Sequence, residues 1–162
     1  MVEGEGVEII RASAGDLELI APLFDAYRVF YELPSDLALA RSYIEARLVN
    51  DESVIFLARE TSGDRHRGLG FTQLYPTFCS LDAKNVWVLY DLYVEPEARR
   101  AGIGRMLMNA ARAHAEATNA AWIKLDTAHT NKPGQALYES LGYERDEDFH
   151  SYYLRIEAGG SR

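Results

Sequence analysis

The run Val86–Val94, VWVLYDLYV, restricts the fold more than any other stretch of the chain. It is β-rich and apolar on every residue but one, with no polar face. A strand that shows one side to water alternates; a strand that does not is covered on both faces. The chain must therefore build a sheet with helices on either side and place this run at its centre. The exception is Asp91. An unpaired carboxylate is expensive in such a strand, so Asp91 needs a partner or a raised pKa. Alternation puts it on the face opposite Leu92 and Val94, unless a bulge changes the register.

The flanking elements follow from local signals. Val7–Arg11 reads as a strand, and Ser13-Ala-Gly-Asp16 as a capping signal for a helix carrying Leu17, Ile20, Phe24 and Tyr27 at helical spacing. Ser35 is placed to cap a second helix through about Leu48. Ser53–Ala58 and Leu69–Phe78 read as strands joined by the polar Glu60–Gly68 connection. Ile103, Met106, Leu107, Ala110, Ala111 and His114 mark a third helix, Trp122–Leu125 a strand, and Gly134–Leu141 a short helix closed by Gly142. Tyr152–Ile156 reads as a last strand, and MVEGEG and EAGGSR as loose ends. The expected fold is a mixed α/β (α+β) domain over residues 1–162, with an ordered core from about 7 to 157.

Composition narrows the function. The net charge of −8 argues against nucleic acid as a partner and is compatible with a cationic one such as an amine. No apolar run reaches the roughly 20 residues of a membrane span, and no signal peptide is visible. The single cysteine, Cys79, forms no internal disulfide, reads as a small part-buried residue, and fits a reducing cytoplasm. No Cys/His spacing suggests a metal.

The chemistry is concentrated after the central strand. Pro96 ends the ladder, Arg99 and Arg100 follow, and Gly102 and Gly104 open a helix whose first N–H groups lack internal partners. Glycines there let an anion approach the backbone, and arginines complement phosphate. The spacing fits neither the dinucleotide fingerprint nor a nucleotide P-loop. Taken alone it is also what an eased strand–helix junction would show.

Together, Val94-x-Pro96…Arg99-x-x-Gly102-x-Gly104 and Asn131…Leu137-Tyr138-Glu139…Leu141-Gly142-Tyr143 resemble the two signature elements of the GNAT superfamily of acetyl-CoA-dependent N-acetyltransferases. Gly134 stands where that pattern has alanine, a change expected only to loosen the helix start, and Tyr143 replaces the commoner phenylalanine. The resemblance implies a mostly antiparallel sheet with one splayed parallel strand pair, Val86–Val94 and Trp122–Leu125, and helices on both faces. It implies that the backbone of Leu92, Tyr93 and Val94 lines the pantetheine and acetyl group. The amides of Arg99, Arg100, Ala101, Gly102, Ile103, Gly104 and Arg105 hold the pyrophosphate, and Asn131 meets the pantetheine arm. Tyr138 is the implied proton donor to the leaving thiolate; its plain alternative is a core tyrosine. Asp91 either binds or deprotonates the acceptor, directly or through water, or pairs with an arginine or caps a loop away from the chemistry. Tyr27, Phe30, Tyr31, Tyr75 and Phe78 are candidate walls of an acceptor pocket, and His129 a weaker base candidate.

The expected activity is direct attack of a primary amine on acetyl-CoA, the amine belonging to a small molecule, a polyamine, an amino-acid-like compound or a basic peptide. A non-catalytic CoA-binding module and a transferase of another acyl group are the alternatives. Homodimers are common in the superfamily and compatible with this sequence.

Overall fold

The computed structural model describes residues 2–4, 6–61 and 66–156. Six strands form one sheet whose spatial order equals their chain order: β1 (Val2–Gly4), β2 (Val7–Arg11), β3 (Val54–Glu60), β4 (Gly68–Cys79), β5 (Lys84–Val94) and β6 (Ile123–Leu125). All neighbours pair antiparallel except β5 and β6, which run parallel. Helices α1 (Leu17–Phe30) and α2 (Leu37–Val49) cover one face; α3 (Ile103–Ala117) and α4 (Lys132–Ser140) lie on the other.

The covered centre foreseen for the apolar run is what β5 becomes. Its alternate residues feed two cores. Tyr93 joins Phe71, Leu57 and Ile55 against Ile20 and Phe24 of α1, whereas Trp87 and Leu89 join Leu74 and Val54 against Leu107 and Ala111 of α3. Helix α3 buries Ile103, Leu107, Met108, Ala111 and Ala115, a single stripe at helical spacing. No helix among the described residues is long and apolar enough to cross a membrane.

Four expectations are corrected. The N-terminal residues are not all loose: Val2–Gly4 pairs with β2, after which Gly6 turns the chain at φ +80°. The second helix is capped by Asp36, which accepts from the Leu39 N–H at 2.9 Å; Ser35 instead donates to Asp25 at 2.6 Å. The last helix begins at Lys132, with Asn131 as its N-cap. Tyr152–Ile156 forms no strand and is exposed, because β propensity needs a partner edge and the chain leaves β6 without turning back along it. Residues 62–65 of the predicted hairpin connection, and the EAGGSR end, lie outside the described residues.

One close approach supports β5. A Cβ on Gly70 would lie 2.6 Å from the Tyr93 carbonyl oxygen and 3.1 Å from the Val94 Cα, both backbone atoms that do not yield cheaply. Gly70→Ala is expected to destabilise the fold by about 1–3 kcal/mol, read from the urea midpoint. An unchanged midpoint would show that β4 and β5 separate without cost.

Candidate active site

The site begins where pairing between β5 and β6 stops. Trp87, Val88 and Leu89 face Ile123, Lys124 and Leu125, and the parallel ladder ends there. On the other side of β5 the register slips: Gln73 pairs with Asp91 but Leu74 with Leu89, leaving Tyr90 as the extra residue of a bulge. Beyond it, β5 remains paired to β4 up to Val94. The edge that faced β6 is then open, and its outward N–H and C=O groups must find other partners.

A cavity of about 1040 Å³ occupies this wedge. One wall is Leu89, Tyr90, Leu92, Tyr93 and Val94; the opposite wall is Leu125–Ala128, then Asn131 and Tyr138. Its floor is the turn into α3, where Arg99, Arg100, Gly102, Ile103, Gly104 and Arg105 all contribute. Of the residues expected to hold the pyrophosphate and pantetheine, only Ala101 does not line the cavity.

The turn is built for close approach. Arg100 at φ +67° and Gly102 at φ +79° are both left-handed. Gly102 is the N-cap and has no side chain to cap with. The first helical bond runs from the Met106 N–H to the Gly102 carbonyl at 3.0 Å. The N–H groups of Gly102 through Arg105 therefore lack helical partners and carry the positive end of the helix dipole. A Cβ on Gly104 would sit 3.3 Å from Leu137 of α4, so glycine also lets the two helices close up. Two of the arginines also have partners within the protein. Arg99 donates to the Val94 carbonyl at 2.9 Å, its guanidinium 5.9 Å from the Phe30 and Tyr93 ring centres. Arg105 donates to Ser140 Oγ at 2.7 Å and, with Arg112 on the Leu141 carbonyl, fastens α4 to α3.

That fastening sets Tyr138. Helix α4 ends in a Schellman motif: Tyr143 N–H reaches the Tyr138 carbonyl at 3.1 Å and Gly142 N–H the Glu139 carbonyl at 3.0 Å, with Gly142 at φ +85°. The Tyr138 ring enters the cavity wall. Burial, with a smaller contribution from Tyr31, raises its pKa, against a hydrogen bond with Thr127. Asn131 does not extend freely into the wedge. Its Oδ1 accepts from the Gly134 N–H at 3.2 Å and its Nδ2 donates to Thr127 Oγ at 3.1 Å. This corrects the reading of Gly134. A Cβ there would come within 2.5 Å of Asn131 Nδ2, so the glycine makes room for the cap rather than merely loosening the helix.

Asp91 lies on the α1 face, opposite Leu92 and Val94, as alternation requires. It is buried, yet no lysine or arginine pairs with it among the described residues. Its Oδ2 accepts from Gln73 Nε2 at 2.7 Å, and Gln73 Oε1 accepts from Ser53 Oγ at 2.7 Å. Burial raises its pKa; the hydrogen bond from Gln73 and the nearby Tyr27 hydroxyl oppose the rise. Asp91 does not itself line the cavity. Tyr27 does, and its hydroxyl donates its one proton to the Tyr90 carbonyl at 3.3 Å. Burial first, and Asp91 next, push the Tyr27 pKa well above its ordinary value.

The aromatic wall is partly as expected. Tyr27, Phe30 and Tyr31 line the cavity, joined by Glu32. Tyr75 instead packs edge-on against Tyr90 at 5.5 Å and meets the Tyr43 hydroxyl at 2.6 Å; Phe78 points into solvent. His129 is exposed and outside the cavity. The line Ser53–Gln73–Asp91–Tyr27 is absent from the sequence reading. Its one signal is that Gln73 is a second polar residue in an apolar strand, FTQLY, a natural partner for Asp91.

An open parallel pair, an unpartnered helix start at its mouth and a half-buried tyrosine beside it form one continuous site. The model of the acetyltransferase (GNAT) family matches residues 20–143, and the chain belongs to that family. It is 43% identical over 152 residues to the uncharacterized N-acetyltransferase YhfO of Bacillus subtilis (strain 168), covering 94% of this chain and 99% of that protein. The crystal structure of a probable acetyltransferase matches with TM-score 0.86 and 41% identity over 93% of this chain and 98% of the other. An aminoglycoside acetyltransferase from an uncultured soil metagenomic sample, in complex with sisomicin, shares the fold at TM-score 0.76 and 17% identity, over 94% and 98% of the two chains. The resemblance carried by Arg99–Gly104 and Asn131–Tyr143 is thus a family membership.

The raised pKa of Asp91 has a consequence for stability. Its carboxyl binds a proton more tightly folded than unfolded, where the pKa is about 3.9. Its contribution is therefore full below that value and lost as pH rises through the folded one. Asp91→Asn should gain on the wild type as pH climbs through this window, measured by urea denaturation at stepped pH. A difference that stays constant with pH would mean that burial does not perturb Asp91.

Proposed function

We propose that the protein transfers an acetyl group from acetyl-CoA to a primary amine of a small molecule, by direct attack within a ternary complex. The observation that carries this reading is the continuity of the wedge. It runs from the unpartnered N–H groups at Gly102–Arg105, along the open edge of β5 and past the Tyr138 hydroxyl, to the aromatic wall of α1. Anionic phosphates suit the first part, amide-rich pantetheine the second and an organic acceptor the last. The relative's name, N-acetyltransferase, supports nitrogen as the accepting atom.

Acetyl-CoA, when bound, supplies an activated thioester open to an uncharged amine. The chain's residues then have three tasks. An outward N–H of the Tyr90–Val94 edge is the fixed donor for the thioester oxygen. Tyr138 stays protonated at neutral pH, because burial raises its pKa, and is the donor to the departing sulfur. Deprotonating an alkylammonium of pKa about 10.4 at pH 7 costs about 4–5 kcal/mol, so a proton acceptor of raised pKa helps most. Asp91 is that acceptor, reached through the Tyr27 hydroxyl: as the ammonium gives a proton to Tyr27, Tyr27 turns its own from the Tyr90 carbonyl to Asp91, and the second proton that the nitrogen loses on acylation restores Tyr138 after it has protonated the sulfur.

Two measurements test this reading. Millimolar acetyl-CoA is expected to raise the melting temperature, and release of free thiol with a panel of amines is expected to reveal the acceptor. No shift in melting temperature would remove the cofactor; a shift without thiol release for any amine would leave a binding module. With an acceptor in hand, Tyr138→Phe should lower kcat by about 100-fold while KM for acetyl-CoA stays within about threefold. Asp91→Asn should abolish the rise of kcat/KM with pH that Asp91 ionisation produces. An unaltered profile would return Asp91 to a structural role.

A further inference from the structure

The charges that line the wedge are largely sorted by sign. Arg99, Arg100 and Arg105 stand at the turn into α3, whereas the α1 end carries Glu32. Asp126, on the β6 wall, has Lys124 at 3.9 Å. The Glu32 carboxylate forms no ion pair among the described residues. Its backbone is unexpected too. Glu32 follows α1 at φ +62°, a left-handed position that glycine fills most easily. Among the described residues, the left-handed ones other than glycine that line the wedge are Glu32 and Arg100, one at each end and of opposite charge. A side chain kept where glycine would suit the backbone better points to a use outside folding.

Beside Glu32 the wall is aromatic and open. Phe30 is 54% and Tyr31 45% exposed, although both line the cavity. Tyr31 stands edge-on to Tyr27 and to Phe30, with ring centres 5.0 and 5.3 Å apart. Aromatic faces cover alkyl chains and attract cations. Arg99 approaches Phe30 at 5.9 Å but is held to the Val94 carbonyl, so Tyr27 and Tyr31 are left to a ligand. Behind Tyr27 lies the buried Asp91. Two carboxylates thus serve one end of the wedge, one buried and one at the mouth, with aromatic rings between them. Tyr27 and Glu32 are five residues apart, about 7–8 Å at the rise of a helix, a span that an alkyl chain of about four or five methylenes covers.

We propose that the acceptor is an α,ω-diamine, or a polyamine of that spacing: one nitrogen reacts beside Tyr27, the alkyl chain lies along Tyr27 and Tyr31, and the second ammonium pairs with Glu32. The inference rests on the acetyl-transfer reading of the wedge and adds the class of acceptor. Glu32 is then a specificity residue, in contact with the part of the acceptor that does not react. It also selects against alternatives. The carboxylate of an amino acid placed there would face a like charge, and an uncharged alkyl end would leave Glu32 without its partner. The reaction itself is unchanged. An N–C bond forms and the C–S bond of the thioester breaks. Of the two protons that the reacting ammonium loses, one leaves with the thiol and one goes to solvent. The distal ammonium keeps its charge throughout. The product has only one cation left and cannot occupy both ends of the site, which favours its release.

The test compares α,ω-diamines of about four or five methylenes with n-alkylamines of the same length. One readout is thiol release from acetyl-CoA. The other is calorimetric binding of the amine to the protein saturated with CoA, which needs no turnover. The diamine is expected to exceed the monoamine at least about tenfold in both kcat/KM and affinity, and Glu32→Gln to remove most of that ratio. Glu32→Gly should remove it as well, with a urea midpoint equal to or above that of the wild type, because glycine suits the left-handed position. A preference that survives Glu32→Gln, tighter binding of an amino acid of the same length, or no preference in either readout would overturn the diamine while thiol release with other amines keeps the transferase. Binding of the diamine that depends on Glu32, without thiol release, would keep the diamine site and remove the transfer.

Discussion

The wedge beside β5 exists because β5 and β6 pair for three residues and then part. A parallel ladder has no intrinsic reason to stop at Leu89 and Leu125. The bulge at Tyr90 supplies one: an extra residue kinks the strand and increases its twist, which turns the remainder of β5 away from a neighbour that runs straight. What a sheet ordinarily satisfies by ladder bonds is left open along five residues. The same bulge resets the alternation, so that Asp91 falls on the α1 face and Leu92 on the α3 face. Wedge and buried carboxylate thus have one structural cause.

The two faces of the sheet then divide the work. The α3 side is anchored by Leu107, Met108 and Ala111 and carries the turn at Gly102, the end proposed to hold the anion. The α1 side offers Tyr27, Phe30 and Tyr31 at a helix C-terminus, where Glu32 already turns left-handed at φ +62°. A holder for the proposed donor on one face and a separate wall for the acceptor on the other suit a fold that hosts many functions. Arg99 bridges them, tied to the Val94 carbonyl yet facing Phe30 and Tyr93.

How much of this was legible in the sequence depends on the range of each interaction. Strand β5, the stripe on α3 and the Gly102 cap are encoded within a few residues, and patterning is enough to place them. Tyr138 and Asn131 were legible only through the family resemblance, since nothing local says that α4 docks on α3. The Ser53–Gln73–Asp91–Tyr27 line was not legible, because its members come from three elements and the residue before β3, and meet only after β4 and β5 take their bulged register. The final strand misled for the opposite reason. Tyr152–Ile156 has every local mark of a strand, but pairing is a property of two segments, and its partner edge is not reached within this chain.

Gly134 shows how a departure from a family pattern is explained by its neighbour. With alanine there, the Asn131 side chain could not occupy its present position, 2.5 Å from where a Cβ would stand. Glycine costs roughly 0.5–1 kcal/mol in a helix interior, less where the helix is only beginning, and a side-chain N-cap returns about 1 kcal/mol. The exchange is close to neutral for stability but not for geometry. It draws Asn131 back onto α4 and toward Thr127, which in turn reaches Tyr138. The small residue therefore bears on the hydroxyl proposed to serve the leaving sulfur, through two intervening side chains and no contact of its own.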